Sequence, residues 1–92
     1  MAYVIHKHRL KVTDRQTILA PAALRSLSVH NQDGTLCLWA AVDDEAKYAE
    51  HEIFVVGTGS PAGHVAGRQF VGTVFLDGDV WHVFYGGPAW PS

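Results

Sequence analysis

Runs of β-branched, aromatic and other apolar residues recur along this chain, separated by short clusters of turn residues. That pattern predicts strands at Tyr3–Val12, Gln16–Leu19, Leu24–His30, Thr35–Val42, Glu52–Val56, Phe70–Leu76 and Val80–Tyr85. Two of the breaks are Asp-Gly pairs, Asp33-Gly34 and Asp77-Gly78. Asp-Gly accommodates the positive φ angles of a type I′ turn, so each pair predicts a hairpin tip. The expected class is therefore all-β and mainly antiparallel: a small β-sandwich or partly open barrel of six to seven strands. Pro21 ends the second run, because it has no N–H for a ladder. Asp43–His51 is the only stretch that suits a helical turn, with Asp43 or Asp44 as its cap, and it is expected to be a loop with helical character. Gly57–Arg68 is predicted to be a long irregular connection. Residues 1–85 should form one β domain, and residues 86–92 a tail that leaves the sheet after Tyr85, with Trp90 docking back on the domain or on another copy. If side chains alternate faces along each run, the inward set is Leu27, Val29, Leu36, Leu38, Ile53, Val55, Phe70, Val74, Trp81 and Val83.

Composition supports a folded domain: 92 residues, 48% hydrophobic and 11% aromatic, can build a core. So small a domain has little stability to spare, which makes a homodimer or higher homo-oligomer the expected state. Cys37 is the only cysteine, lies within a strand run, and is expected to behave as a small buried hydrophobe. His6-Lys7-His8-Arg9 follows Tyr3-Val4-Ile5 at once, which does not read as a signal peptide. No apolar stretch nears the roughly 20 residues of a membrane helix. These features predict a soluble protein of the reducing cytoplasm, without membrane contact.

The net charge of −2 conceals a segregation. Lys7, Arg9, Lys11, Arg15 and Arg25 face only Asp14 within residues 1–30, while Asp33, Asp43, Asp44, Glu45, Glu50 and Glu52 outnumber Lys47 within residues 31–52. The near balance argues against general nucleic-acid binding, whereas two oppositely charged surfaces suit docking or self-association. On the first strand, alternation puts Lys7, Arg9 and Lys11 on one face and Val4, His6, His8, Leu10 and Val12 on the other. The cations form either a solvated strip that blunts a strand edge or a docking strip for an acidic partner or phosphate groups. Acids such as Glu50 or Glu52 on another strand would neutralise them in the first case.

No catalytic signature stands out. His6, His8 and His82 lack the spacing and accompanying ligands of a zinc site, so neither a metal nor a cofactor is expected. Gly57-Thr58-Gly59-Ser60 follows an apolar strand and could cradle an anion with its backbone N–H groups. It continues into Pro61-Ala62-Gly63-His64 rather than Gly-Lys-Ser/Thr and a helix, so it is not a nucleotide-binding P-loop. Ser60 lacks a Gly-x-Ser-x-Gly frame, and Cys37 sits in mid-strand.

Thr13-Asp14-Arg15-Gln16-Thr17, Leu36-Cys37-Leu38-Trp39-Ala40, Val56-Gly57-Thr58-Gly59-Ser60-Pro61 and Trp81-His82-Val83-Phe84 together resemble a pattern of small uncharacterised bacteriophage and prophage proteins. The similarity runs through most of residues 1–85. It implies a phage accessory protein acting in the bacterial host cytoplasm, where such proteins often inhibit host systems, defence included. No catalytic or ligand residue carries over. The expected function is a non-enzymatic binding protein that inhibits a host protein, with an oligomeric binder of a nucleotide signal or a minor virion protein as alternatives. The candidate binding residues are Lys7, Arg9 and Lys11, and Gly57, Thr58, Gly59 and Ser60.

Overall fold

A computed structural model describes residues 2–88 of the chain. Among these residues are seven strands: β1 (Tyr3–Leu10), β2 (Arg15–Pro21), β3 (Leu24–Gln32), β4 (Thr35–Asp43), β5 (Tyr48–Gly57), β6 (Gln69–Leu76) and β7 (Asp79–Pro88). A single 3-10 turn, Gly63–Val65, interrupts the β5–β6 connection. The strands form two antiparallel sheets, ordered β1-β4-β3 and β2-β5-β7-β6. They stack as a sandwich in which β3 lies against β6 at one margin, with β1 and β2 as the outer strands at the other.

Both Asp-Gly pairs are hairpin tips. Asp33 and Gly34 have φ of 53° and 84°, and Asp77 and Gly78 have 53° and 79°, the consecutive positive values of a type I′ turn. Asn31 supports the first tip by accepting the Gly34 N–H on its Oδ1 at 2.8 Å.

The main core joins Leu10, Ile18, Val29, Leu36, Leu38, Ile53, Val55, Val74, Leu76 and Val83 between the sheets. Seven residues of the expected inward set are buried there, and Trp81 is half-buried against them. Leu27 and Phe70 are not inward: they are 45% and 55% exposed. A bulge explains each reversal. The β3–β4 register shifts between Ser26 and Ser28, and the β6–β7 register between Phe70 and Gly72. An extra residue changes the parity of the strand, so alternation counted from the far side of the bulge gives the wrong face. The two bulged strands are those that meet at the sandwich margin, where a Cβ on Gly72 would lie 2.9 Å from Val29 Cγ2.

The stretch expected to be a loop with helical character is mostly strand. Only Asp44–Lys47 turn, and β5 already begins at Tyr48, paired with Pro21. Its apparent polarity includes His51, which is fully buried. Pro21 O can only accept a hydrogen bond, so His51 Nε2–H donates to it at 3.0 Å and Nδ1 accepts the Tyr85 hydroxyl at 2.7 Å. With both ring nitrogens satisfied, histidine occupies a core position without the penalty of an unpaired polar group. At the other end, β7 does not stop at Tyr85 but pairs with β5 as far as Pro88. A third register shift places Gly86 where a Cβ would lie 2.6 Å from Phe54 Cε2. Trp90 lies outside the described residues.

Candidate functional site

Strand β1 pairs with β4 through an unbroken register, Tyr3↔Asp43 to Leu10↔Leu36. Because Leu36, Leu38, Ala40 and Val42 are buried between the sheets, the residues opposite their neighbours point away from the core. This puts Tyr3, Ile5, Lys7 and Arg9 on the outer face, in register with Asp43, Ala41, Trp39 and Cys37. Lys11 does not join the strip, since β1 ends at Leu10 and the Lys11 backbone is held by the Gln16 side chain. The pairing Arg25↔Ala41 adds Arg25 to the same face. Alternation from the buried Ser26 would have found it, and likewise Trp39 between Leu38 and Ala40. Lys7 Nζ donates to the neutral Gln32 Oε1 at 2.9 Å, and among the described residues Arg9 meets no carboxylate. The acids expected to neutralise the strip are in the other sheet, where Glu52 pairs with Arg15. The face therefore carries Lys7, Arg9 and Arg25 around Trp39, whose indole meets the His30 ring edge-on at 5.7 Å.

The glycine loop lies elsewhere, after the central strand β5 of the other sheet. Ser60 N–H donates to Gly57 O and Thr58 N–H to Val80 O, each at 3.1 Å, so two donors of a would-be anion cradle are spent within the fold. Gly59 turns the chain with φ of 88°. Two shallow cavities flank the loop. One of about 340 Å³ is lined by Gly57, Thr58, Ser60, Gly78, Asp79, Val80 and Trp81. Another of about 230 Å³ is lined by Val56, Gly57, Thr58, Gly59, Ser60, Ala62, His82 and Phe84. Neither includes Lys7, Arg9 or Lys11, and the larger is lined by the acidic residue Asp79, so the two sets of candidate residues do not combine into one anion site. The rest of the connection folds over the outer face of its own sheet. Val65 packs into a second cluster with Phe54, Val56 and Phe84, and Arg68 sits 5.3 Å from the Phe54 ring centre while donating to Gly86 O.

The histidines do not converge either. His82 is on the outer face of the four-stranded sheet, bridging Thr58 Oγ1 at 2.8 Å and Thr73 Oγ1 at 3.0 Å. The Thr58 hydroxyl also donates to Val80 O, an arrangement that ties the loop to β7 and leaves the hydroxyl proton engaged. His6 and His8 lie on the inner face of β1, their rings 5.9 Å apart. Burial, helped by the neighbouring His6 and His51, holds the His8 pKa below the usual imidazole value, and burial raises that of Tyr85. Among the described residues no group of three or more His, Cys, Asp and Glu side chains is placed to hold a metal ion. No helix there is long and apolar enough to cross a membrane.

A model of a domain family of unknown function, DUF7352, matches residues 1–91, and the chain belongs to that family. No curated protein and no solved structure matches it.

Proposed function

We propose that this member of the DUF7352 family is a non-enzymatic binding protein that docks on an acidic surface of a host protein through the outer face of β1-β4-β3 and inhibits it, as a phage anti-defence protein would. The observation that carries the reading is the cationic part of that face, with Asp43 the acid at its other end: Arg9 without a carboxylate, Lys7 on a neutral amide, and Arg25 and Trp39 beside them. Arginine, tryptophan and tyrosine are the residues that dominate protein interfaces, and a like-charged strip gives long-range steering toward an acidic partner. The resemblance to phage accessory proteins supplies the host context. The nucleotide-signal alternative has less support, because the loop amides of Thr58 and Ser60 are already bonded and the adjoining cavity contains Asp79.

The test is affinity capture from bacterial host lysate with the wild-type protein and a Lys7→Glu/Arg9→Glu variant. The wild type should retain a specific host protein, and the retention should weaken as salt screens charges beyond about 8 Å. The variant should lose that protein while keeping the wild-type melting temperature. Equal capture by both would remove the face from the account. A nucleotide released on denaturing the purified protein, identified by absorbance and mass spectrometry, would favour the small-molecule alternative.

A further inference from the structure

Strand β1 is bonded on one side only, by β4. Asp44 N–H donates to Ala2 O, which continues the ladder beyond Tyr3↔Asp43 and fixes its phase. In an antiparallel pair, alternate residues turn both backbone groups toward the partner strand. The even-numbered residues of β1 therefore bond β4, and Tyr3, Ile5, Lys7 and Arg9 turn their N–H and C=O groups to the open side. Lys11, next in that series, has both groups taken by one side-chain amide: its N–H donates to Gln16 Oε1 at 3.0 Å and its carbonyl accepts from Gln16 Nε2 at 2.6 Å. Gln16 thus closes one end of the edge. Among the described residues, nothing bonds the outward groups from Tyr3 to Arg9. The other outer strands are interrupted, β3 and β6 by bulges and β2 by Pro21 at its end, the devices that discourage edge pairing. The β1 register has no such break.

We infer that β1 pairs antiparallel with β1 of a second copy, about a two-fold axis through His6, to make one continuous six-stranded sheet. The sequence selects that register. It places Tyr3 opposite the partner's Arg9 and Ile5 opposite the partner's Lys7, so each outward backbone group finds a partner. Tyr3, 61% exposed, then supplies an aromatic ring beside a guanidinium, and Ile5, 64% exposed, lies against the lysine stem. An axis at Lys7 would oppose two lysines and drive Tyr3 against the Gln16-capped Lys11. An axis at Ile5 would set Arg9 opposite position 1, outside β1, and so give three outward strand pairs in place of four. The docking reading is extended by this dimer, which sets the cationic strips of both copies side by side on one face, but the pairing does not depend on it. One strand pair buries a modest area, so the dimer should be concentration-dependent.

Sedimentation equilibrium from about 10 μM to about 1 mM should show the mass rising from the 10.1 kDa monomer toward twice that value. Ile5→Lys opposes the new lysine to the partner's Lys7 at two symmetric places, and Ile5→Glu opposes a carboxylate there. From cross-strand pair energies, the first should raise the dimer dissociation constant about two- to thirtyfold and the second should lower it by a comparable factor. Both variants should melt like the wild type at low concentration, since Ile5 is outside the core. A monomeric mass throughout, or equal dissociation constants for the two variants, would overturn the pairing. A monomer that still captures its host protein would refute the dimer alone, and a dimer that captures none would refute the docking alone.

Discussion

Substituting Gly72 by alanine should change sign according to what stands at position 29. In the native protein a Cβ at Gly72 would lie 2.9 Å from Val29 Cγ2, well inside the roughly 3.5–4.0 Å of a favourable carbon contact. Val29 is buried, branched at Cβ and held in the opposite sheet, so it has little room to yield. Overpacking of this kind costs about 1–3 kcal/mol, against a gain of about 0.5–1 kcal/mol for replacing glycine within a strand. Gly72→Ala alone should therefore destabilise by about 0.5–2 kcal/mol. Val29→Ala alone removes two methyl groups and leaves a cavity, a loss of about 2–3 kcal/mol. In that background the clash is gone and the new methyl partly fills the space, so Gly72→Ala should stabilise by about 0.5–1 kcal/mol. Urea unfolding of the four proteins, followed by circular dichroism, gives the cycle directly. The same sign in both backgrounds would mean that the bulged strands do not meet at Val29 and Gly72.

Acidification should weaken the fold through His8. Because its native pKa is depressed, the unfolded chain takes up the proton first as pH falls below about 6.5, and stability declines until the native pKa is passed. The urea midpoint should drop between pH 7.5 and pH 5.5, and a His8→Gln variant should show a smaller drop; an unchanged drop would assign the effect to other groups. Gly86→Ala should destabilise by about 1–3 kcal/mol, because its Cβ would strike Phe54 Cε2 at 2.6 Å and Glu52 Cβ at 3.0 Å. A melting temperature equal to that of the wild type would show that the β5–β7 bulge is not as described.

Turn chemistry was legible because it is local. Asp33-Gly34 and Asp77-Gly78 need no knowledge of the rest of the chain to demand positive φ, and the seven strand runs follow from where those turns and the other breaks fall. Facing was legible only as far as the nearest bulge. Leu27 and Phe70 lie beside inserted residues, and neither sequence position announces a change of parity. The start of β5 was hidden because His51 is a polar residue in an apolar position, stabilised by Pro21 and Tyr85, which are remote in sequence. At the candidate site, alternation sufficed to put Lys7 and Arg9 on one face. That Lys11 drops out, and that Gln16 caps the edge beside it, depends on where β1 ends and on a side chain from the next strand. The glycine loop looked like an anion cradle because sequence shows which N–H groups exist but not which of them the fold has already engaged.

The claim that β1 presents an open edge for contact is tested most directly by residue-resolved amide hydrogen exchange at low protein concentration. The amides of Val4, His6, His8 and Leu10 should exchange slowly, because they bond β4, while those of Tyr3, Ile5, Lys7 and Arg9 exchange at nearly unprotected rates. Raising the concentration should protect the second group. Protection of Tyr3, Ile5, Lys7 and Arg9 already at dilution, or equal rates along the whole strand, would contradict an edge held by β4 on one side and open on the other.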